Sequence, residues 1–300
     1  MIKKELYEIT WENIAPPYKD YEYFTGRENY PFDFNTKEFS IANAWWLIEA
    51  ATLVYAEEEY ARVLFQKAGF PEVRYFTDKS TQCYAVSNKD VLVVAFRGTE
   101  SRKRKDKDDF RDIVEDVKAD ADFRLVDSGK KGKVHKGFSD ALDEVWQELH
   151  SYVKGLQNEG RALWITGHSL GAAIATLAAY RFENVQGLYT FGSPRVGDED
   201  FVKDFRVPAY RFENNNDIVC KVPPPAPGLY AHAGKLKYID SEGNIHDDIS
   251  PWERWTDEVK GRFNNAMSTL GHGFQGLVPD AIKDHVPVLY AIHIWNNLIT

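Results

Sequence analysis

Hydrophobic residues follow two alternating patterns through most of the chain. Short strand-like runs occupy residues 73–76, 82–87, 91–96, 162–166, 187–191 and 209–213. The run at 91–96 is uninterrupted and apolar, which is typical of a strand buried on both faces. Between the strand-like runs, apolar residues recur at i, i+3, i+4 and i+7 from Phe138 to Leu156, which predicts an amphipathic helix. A second helix is predicted over residues 169–182. Alternating strands and helices predict an α/β fold with a mostly parallel sheet and helices on both faces.

The first 66 residues show neither the strand-like runs nor the amphipathic helix pattern. Residues 41–66 follow Ser40, a predicted N-cap, and are apolar almost all round, which indicates a helix buried on most sides. Residues 1–39 lack periodicity and predict an irregular arm. The side chains expected to pack this arm on the body are Trp11, Tyr23 and Phe34.

Composition narrows the class of protein. Hydrophobic residues make up 43% and aromatic residues 14% of the 300 positions, which is ample for a large core. No internal repeat or linker interrupts them, so residues 1–300 are predicted to form a single domain. The 37 basic and 46 acidic residues give a net charge of −9, which argues against nucleic-acid binding. No run approaches 18 apolar residues, so no transmembrane segment is expected.

Cysteine usage and the N-terminus bear on the compartment. Cys83 and Cys220 are the two cysteines of the chain, which excludes a disulfide scaffold. The first residues contain two lysines with no apolar run behind them, so no Sec-type signal is visible. These features favour a cytoplasmic location, and export by a non-Sec route stays open.

The segment from residue 163 to 173 carries a candidate nucleophile. Its sequence is Leu-Trp-Ile-Thr-Gly-His-Ser-Leu-Gly-Ala-Ala, a Gly-x-Ser-x-Gly motif between a strand and an Ala-rich helix. Gly167 and Gly171 lack the Cβ atoms that would collide in so sharp a turn. Ser169 Oγ is expected at the helix N-terminus, where the dipole and free N–H groups favour a developing anion. The alternative interpretation is an ordinary tight turn. In an elbow, His168 is expected to point away from Ser169 and to serve in packing.

A serine nucleophile needs a base and a carboxylate that orients the base. In this architecture the chain order is serine, acid, histidine. Asp217 directly follows the 209–213 strand, at a strand end where sites in α/β sheets collect. The residues alone rank His285 only slightly above His272. The other candidates are Asp198, Asp240, His232, His246 and His293.

Five motifs occur in order between residues 96 and 290. They are Phe96-Arg97-Gly98-Thr99, Val134-His135-Lys136-Gly137-Phe138, the elbow at 166–173, Asn216-Asp217-Ile218-Val219 and Asp284-His285-Val286-Pro287-Val288-Leu289-Tyr290. Together they resemble the class 3 lipases, the family of the fungal triacylglycerol lipases and their bacterial relatives. The resemblance implies an α/β-hydrolase fold and hydrolysis of carboxylic esters of lipids, possibly at a lipid surface, with no metal or organic cofactor.

The resemblance also implies residue roles. Matched by motif, Ser169 is the nucleophile, Asp217 the acid and His285 the base of an acyl-enzyme mechanism. The N–H groups of Thr99 and Leu170 would form the oxyanion hole, with the Thr99 hydroxyl as a further donor. Triacylglycerol is the first expectation for the substrate. The alternatives are a short-chain esterase, a phospholipase A1-like enzyme, and a non-catalytic protein of this fold that binds lipid. The oligomeric state stays open.

Residues 101–120 are predicted to form a lid. The resemblance places a mobile lid here, and an apolar stripe supports a short helix in it. The stripe consists of Phe110, Ile113, Val114 and Val117. The charged block at 102–107 is unlike a greasy lid surface, and a solvated loop with an ordinary surface helix is the alternative. His135 is expected to have a structural polar role rather than to bind a metal, because no second ligand follows at i+4.

Overall fold

A mixed β-sheet forms the centre of the protein in this computed structural model. The structure describes residues 2–98, 123–224, 229–259 and 278–300, apart from Glu12, Ala15, Asp248, Pro251 and Trp255. Within these residues the sheet has eight strands. Their order across the sheet is β1 (Glu72–Asp78), β2 (Thr81–Ser87), β3 (Val91–Phe96), β6 (Ala162–His168), β7 (Val185–Phe191), β8 (Ala209–Asn214), β9 (Lys235–Ile239) and β10 (Ile245–Asp247).

Parallel pairing dominates the middle of the sheet. Strands β3, β6, β7, β8 and β9 pair in parallel, whereas β1, β2 and β10 join antiparallel at the two edges. The predicted α/β fold with a mostly parallel sheet is confirmed. A separate antiparallel pair, β4 (Leu125–Asp127) and β5 (Lys133–His135), was not predicted, because three-residue strands are too short to show a period.

Helices cover both faces of the sheet. The helices are α1 (Ile41–Leu53), α2 (Glu58–Ala68), α3 (Lys136–Asn158), α4 (Leu170–Arg181), α5 (Glu199–Asp204), α6 (Asp280–Lys283) and α7 (Pro287–Leu298). One face of the sheet carries α1 and α7, which pack on each other with α2 beside them, and the other face carries α3 and α4. Helical backbone also runs through residues 252–254 and 256–259.

The helix predicted over residues 41–66 is two helices. Ser40 caps the first, as predicted, by accepting from the Asn43 N–H at 3.2 Å. α1 ends at Leu53, and α2 begins after Glu57. Two environments explain the break: α1 is buried on nearly all sides, whereas α2 buries one face and starts with acidic residues, which a helix N-terminus favours.

The N-terminal arm lies over α1 without forming a helix or strand in its described residues. The ring of Phe24 packs 5.2 Å from that of Trp46, and the Trp46 indole donates to the Tyr30 carbonyl at 2.8 Å. Asn43 on α1 bonds the Asp33 backbone in both directions, at 2.7 and 2.8 Å. α1 is therefore enclosed between the arm and the sheet.

The parallel topology gathers several loops at one edge of the sheet. The carboxyl ends of β3, β6, β7 and β8 meet there, because parallel strands all point the same way. Gly98, Ser169, Gly192 and Asp217 each follow one of these strands within three residues. This edge holds the candidate site.

Candidate active site

The turn between β6 and α4 places Ser169 in a strained conformation. Its φ of +59° and ψ of −131° lie outside the backbone regions that residues other than glycine usually adopt. A Cβ at Gly167 would collide with the Gly171 carbonyl, and one at Gly171 would collide with the Phe96 carbonyl. The two glycines therefore allow the elbow that the sequence predicted, and the surrounding backbone holds Ser169 in it.

Ser169 presents its hydroxyl at the positive end of a helix. The residue is buried, and its N–H donates to the Phe191 carbonyl at 3.0 Å, which ties the elbow to β7. Its Oγ has no hydrogen-bond partner among the described residues. Leu170 is the first residue of α4, where backbone N–H groups have no partner within the helix. An oxygen anion next to Ser169 would meet these donors and the helix dipole.

Asp217 and His285 form a fully buried pair. The carboxylate accepts from the His285 Nδ1–H at 2.8 Å through Oδ2, and from the Val219 N–H at 2.8 Å through Oδ1. A carboxylate only accepts, so Nδ1 carries a proton and Nε2 of neutral His285 is the basic nitrogen. Burial alone would raise the pKa of Asp217. His285, the Tyr290 hydroxyl and the more distant His168 together lower this pKa by a larger amount, so it lies below the ordinary value.

Two further contacts define where the His285 ring lies. Gly192 has a φ of +60°, and a Cβ there would lie 2.8 Å from the His285 ring. On another side, the rings of His168 and His285 pack with centroids 4.5 Å apart. Because His168 directly precedes Ser169, the structure brings the predicted nucleophile, acid and base to one edge of the sheet.

Three polar side chains make hydrogen bonds at this site that the sequence did not predict. The Tyr290 hydroxyl donates to Asp217 Oδ2 at 2.6 Å and accepts from the Asn214 N–H at 3.0 Å. His168 bonds the His285 carbonyl at 2.7 Å and the Tyr55 hydroxyl at 3.1 Å. Treating His168 as packing alone misses both bonds. Tyr290 is the last residue of the motif that begins at Asp284, five residues after His285, whereas no pattern in the sequence links Tyr55 to His168.

The remaining candidates have other partners. Asp198 caps α5 by accepting from the Phe201 N–H at 2.8 Å, and Asp240 bonds His246 at 2.7 Å. His232 bonds the Cys220 carbonyl at 2.9 Å. On α7, burial lowers the pKa of His293 to about 4. His272, Thr99 and the predicted lid residues Phe110, Ile113, Val114 and Val117 lie outside the described residues.

His135 is a helix cap at the start of α3. Its Nδ1 accepts from the Gly137 N–H at 3.1 Å, and its ring stacks on Phe138 with centroids 4.1 Å apart. In the described part of the chain, no group of three His, Cys, Asp or Glu side chains could hold a metal ion. Nor does any described helix combine the length and apolar character needed to cross a membrane.

Part of the chain matches a family of known proteins. The model of the family described as lipase (class 3) matches residues 93–226, which include the elbow and Asp217. Over these residues the chain is similar to the class 3 lipase family. A lipase of Rhizomucor miehei is 41% identical over 120 residues, 36% of this chain and 33% of that protein. "Secreted mono- and diacylglycerol lipase 1" of Fusarium solani is 35% identical over 119 residues, 36% of this chain and 34% of that protein.

A plant protein is also similar to part of this chain. "Phospholipase A(1) DAD1, chloroplastic" of Arabidopsis thaliana is 35% identical over 108 residues, 33% of this chain and 24% of that protein. The matches thus span between a quarter and a third of the length of these three relatives.

Solved structures share the fold. The triacylglyceride lipase of Rhizomucor miehei superimposes with a TM-score of 0.52 and 28% identity, covering 65% of this chain and 78% of that one. A mutant of the Penicillium cyclopium protein MDLA gives a TM-score of 0.58 at 23% identity, covering 85% of this chain and 99% of that one. The predicted α/β-hydrolase fold is confirmed.

The expected cytoplasmic location is wrong. Lipases of Fusarium solani and Penicillium cyclopium that match this chain are named as secreted, which contradicts that expectation. The low cysteine count does not indicate a cytoplasmic location, because a core of this size is stable without disulfides. Cys83 and Cys220 are both buried and unpaired, so they carry no information on the compartment.

Proposed function

We propose that this chain is a serine hydrolase that cleaves carboxylic esters of lipids, and that its main substrate is triacylglycerol. Ser169 is the nucleophile, His285 the general base and Asp217 the residue that orients the base. The observation that carries the proposal is the fully buried Asp217–His285 pair beside the strained serine elbow. A buried charge-assisted pair of this kind is costly to maintain and is a recurrent feature of catalytic sites.

The first half of the reaction makes an acyl-enzyme. Ser169 Oγ attacks the ester carbonyl carbon while His285 Nε2 takes the hydroxyl proton. The imidazolium is stabilised by Asp217, which holds Nδ1–H at 2.8 Å. The tetrahedral oxyanion accepts a hydrogen bond from the Leu170 N–H at the start of α4, and we assign the Thr99 N–H as the second donor. His285 then gives its proton to the departing alcohol as the C–O bond breaks.

The second half returns the enzyme to its starting state. Water attacks the acyl carbon and gives one proton to His285 Nε2, and the same donors hold the second oxyanion. Collapse of this intermediate breaks the bond to Ser169 Oγ, which recovers the proton from His285. A fatty acid leaves, so one ester and one water give one alcohol and one acid.

A second lipid class is also supported as the substrate. Relatives of this chain include a protein named as a phospholipase A1 as well as lipases of acylglycerols. Cleavage of the acyl ester of a glycerophospholipid uses the same three residues. We therefore keep phospholipase A1 activity as the second candidate function. Both substrates are water-insoluble, so the enzyme is expected to act at a lipid surface.

An active-site probe tests the proposal directly. A fluorescent alkyl phosphonate should label wild-type protein once per chain and fail to label Ser169→Ala. The matched control is Ser193→Ala, which removes another buried serine hydroxyl next to the same sheet edge, bonded to the Pro194 carbonyl at 3.0 Å. Labelling of this control should equal that of wild type. Labelling that persists in Ser169→Ala would contradict the assigned nucleophile.

Acid release from a substrate series then separates the candidate functions. Tributyrin, trioctanoin, phosphatidylcholine and p-nitrophenyl butyrate would be compared at equal ester concentration. Fastest release from the triacylglycerols supports the first candidate, and fastest release from phosphatidylcholine supports the second. Binding to lipid vesicles with neither labelling nor release would identify a non-catalytic lipid-binding protein instead.

A further inference from the structure

His285 lies in a segment that regular secondary structure does not hold. α6 ends at Lys283 and α7 begins at Pro287, so the residue occupies the connection between them. Its N–H donates to the Ile282 carbonyl at 3.1 Å, and its ring bonds Asp217. A base must present Nε2 within hydrogen-bond reach of the serine hydroxyl. The backbone and the ring plane of His285 therefore need further support.

His168 supplies that support from the neighbouring strand. Its Nε2 lies 2.7 Å from the His285 carbonyl oxygen, and its ring packs on the His285 ring at an interplanar angle of 33°. Both side chains are fully buried. A carbonyl only accepts, so His168 Nε2 carries a proton and its Nδ1 is the acceptor of a neutral imidazole.

Tyr55 fixes that protonation state. Its hydroxyl lies 3.1 Å from His168 Nδ1 and donates to it, because Nδ1 has no proton of its own. The residue belongs to the turn after α1, and a Cβ at Gly98 would lie 2.7 Å from its hydroxyl oxygen. Burial, above all, and the charge of His285 lower the pKa of His168 well below its ordinary value. A neutral His168 avoids repelling the imidazolium that forms on His285 during the proposed reaction.

We propose that His168 and Tyr55 are positioning residues, which hold the backbone and ring of His285 so that its Nε2 faces Ser169. The inference rests on the proposed function and deepens it. Neither residue touches the reacting atoms in this scheme, and both act through His285. Displacement of a reacting group by about 1 Å costs on the order of 10²-fold in rate, which sets the size of the effect.

Single-group substitutions separate positioning from general stability. Tyr55→Phe removes one hydroxyl and should lower kcat on a dissolved short-chain ester by about 10-fold. His168→Phe keeps a ring against His285 but loses both hydrogen bonds, so we expect a loss of about 10²-fold. His168→Gln retains an N–H that can reach the His285 carbonyl and should recover part of this loss.

The readouts are chosen so that loosened folding would give a different result. KM should stay within about twofold, and the phosphonate should still label one site per chain, only more slowly. Tyr84→Phe is the matched control, since it makes the same change at a buried tyrosine of β2 and should leave kcat unchanged. A fall in labelling stoichiometry that matches the fall in kcat would indicate partial unfolding and overturn the proposal.

A spectroscopic measurement tests the positioning chain without relying on turnover. Nitrogen-15 shifts of the imidazole groups, assigned with His168→Gln, should show His168 as the neutral Nε2–H tautomer. Tyr55→Phe should shift the His168 signals, and Tyr84→Phe should not. A charged His168, or an Nδ1–H tautomer, in the wild-type protein would overturn the inference. If kcat is unchanged in Tyr55→Phe and His168→Phe while Ser169 is still labelled, the positioning role fails and the proposed function stands.

If the wild-type protein hydrolyses no ester, the proposed function fails instead. The tautomer measurement then still decides whether Tyr55 sets the protonation state of His168.

Discussion

Replacing Tyr290 by phenylalanine isolates one hydrogen bond to the buried carboxylate. The hydroxyl donates to Asp217 and accepts from Asn214 N–H, while the ring is fully buried. A hydrogen bond to a charged group contributes about 1.5–3 kcal/mol, and leaving a buried N–H without its acceptor costs about 1–3 kcal/mol. Because both bonds share one oxygen, we expect Tyr290→Phe to lower the free energy of unfolding by about 2–4 kcal/mol.

Tyr189→Phe is the matched comparison. Tyr189 is equally buried, and its hydroxyl accepts from the half-buried Ser40 N–H at 3.0 Å without contacting a carboxylate. Loss of this neutral bond should cost about 1 kcal/mol. Urea unfolding at pH 7, followed by tryptophan fluorescence, measures both variants. The reasoning is refuted if the two free energies of unfolding differ by less than about 0.5 kcal/mol, well under the contribution of a bond to a charged group.

The same pair of variants predicts a pH dependence. Asp217 has a lowered pKa in the folded protein, so its ionisation stabilises the fold above the unfolded-state value of about 3.9. That contribution is lost as pH falls through the lower folded-state pKa. Removing the Tyr290 hydroxyl brings the folded-state pKa closer to the unfolded one, so Tyr290→Phe should lose less stability than Tyr189→Phe on acidification below pH 4. Equal acid sensitivity would count against a charged Asp217 in this contact.

Three further substitutions test the geometry of the site. Ser169→Gly should abolish hydrolysis. It should also raise the free energy of unfolding, measured in urea, by about 1 kcal/mol, because glycine adopts the positive φ of this position without strain. A destabilised variant would argue against strain at Ser169. Gly192→Ala should lower kcat by at least about 10²-fold, since its Cβ displaces His285. Gly69→Ala is the control, because Gly69 also has a positive φ but open space around it, and it should cost stability alone. Asp217→Asn should lower kcat by roughly 10⁴, because the imidazole loses the acceptor that fixes its tautomer; a loss under about 10-fold would contradict the assigned role.

The sequence was most informative where one residue type is required at one position. Gly167 and Gly171 can be read directly, because the collisions that a Cβ would cause follow from the sharpness of the turn. The acid was also within reach, since Asp217 comes at a strand's carboxyl end. Each of these inferences depends on neighbours close in the chain.

Contacts between distant segments could not be inferred in the same way. The residues alone left His285 and His272 nearly equal, because only the docking of α7 on α1 carries the base to the sheet edge. The bond from Tyr55 to His168 joins residues 113 positions apart, and neither residue stands out in its own segment. The break before α2 was missed for a related reason: the apolar pattern continued, while the surroundings changed from fully to partly buried.

The arm over α1 has a consequence for handling this protein. Its described residues lack the repeating hydrogen bonds of helix or sheet, yet they cover Trp46 and neighbouring apolar side chains of a helix that is buried almost all round. Removing the arm by limited proteolysis would expose a contiguous aromatic surface, and surfaces of that kind promote self-association. A truncation that spares every strand and helix would therefore yield an aggregating product. The arm's irregular backbone serves as a solubility element of the molecule.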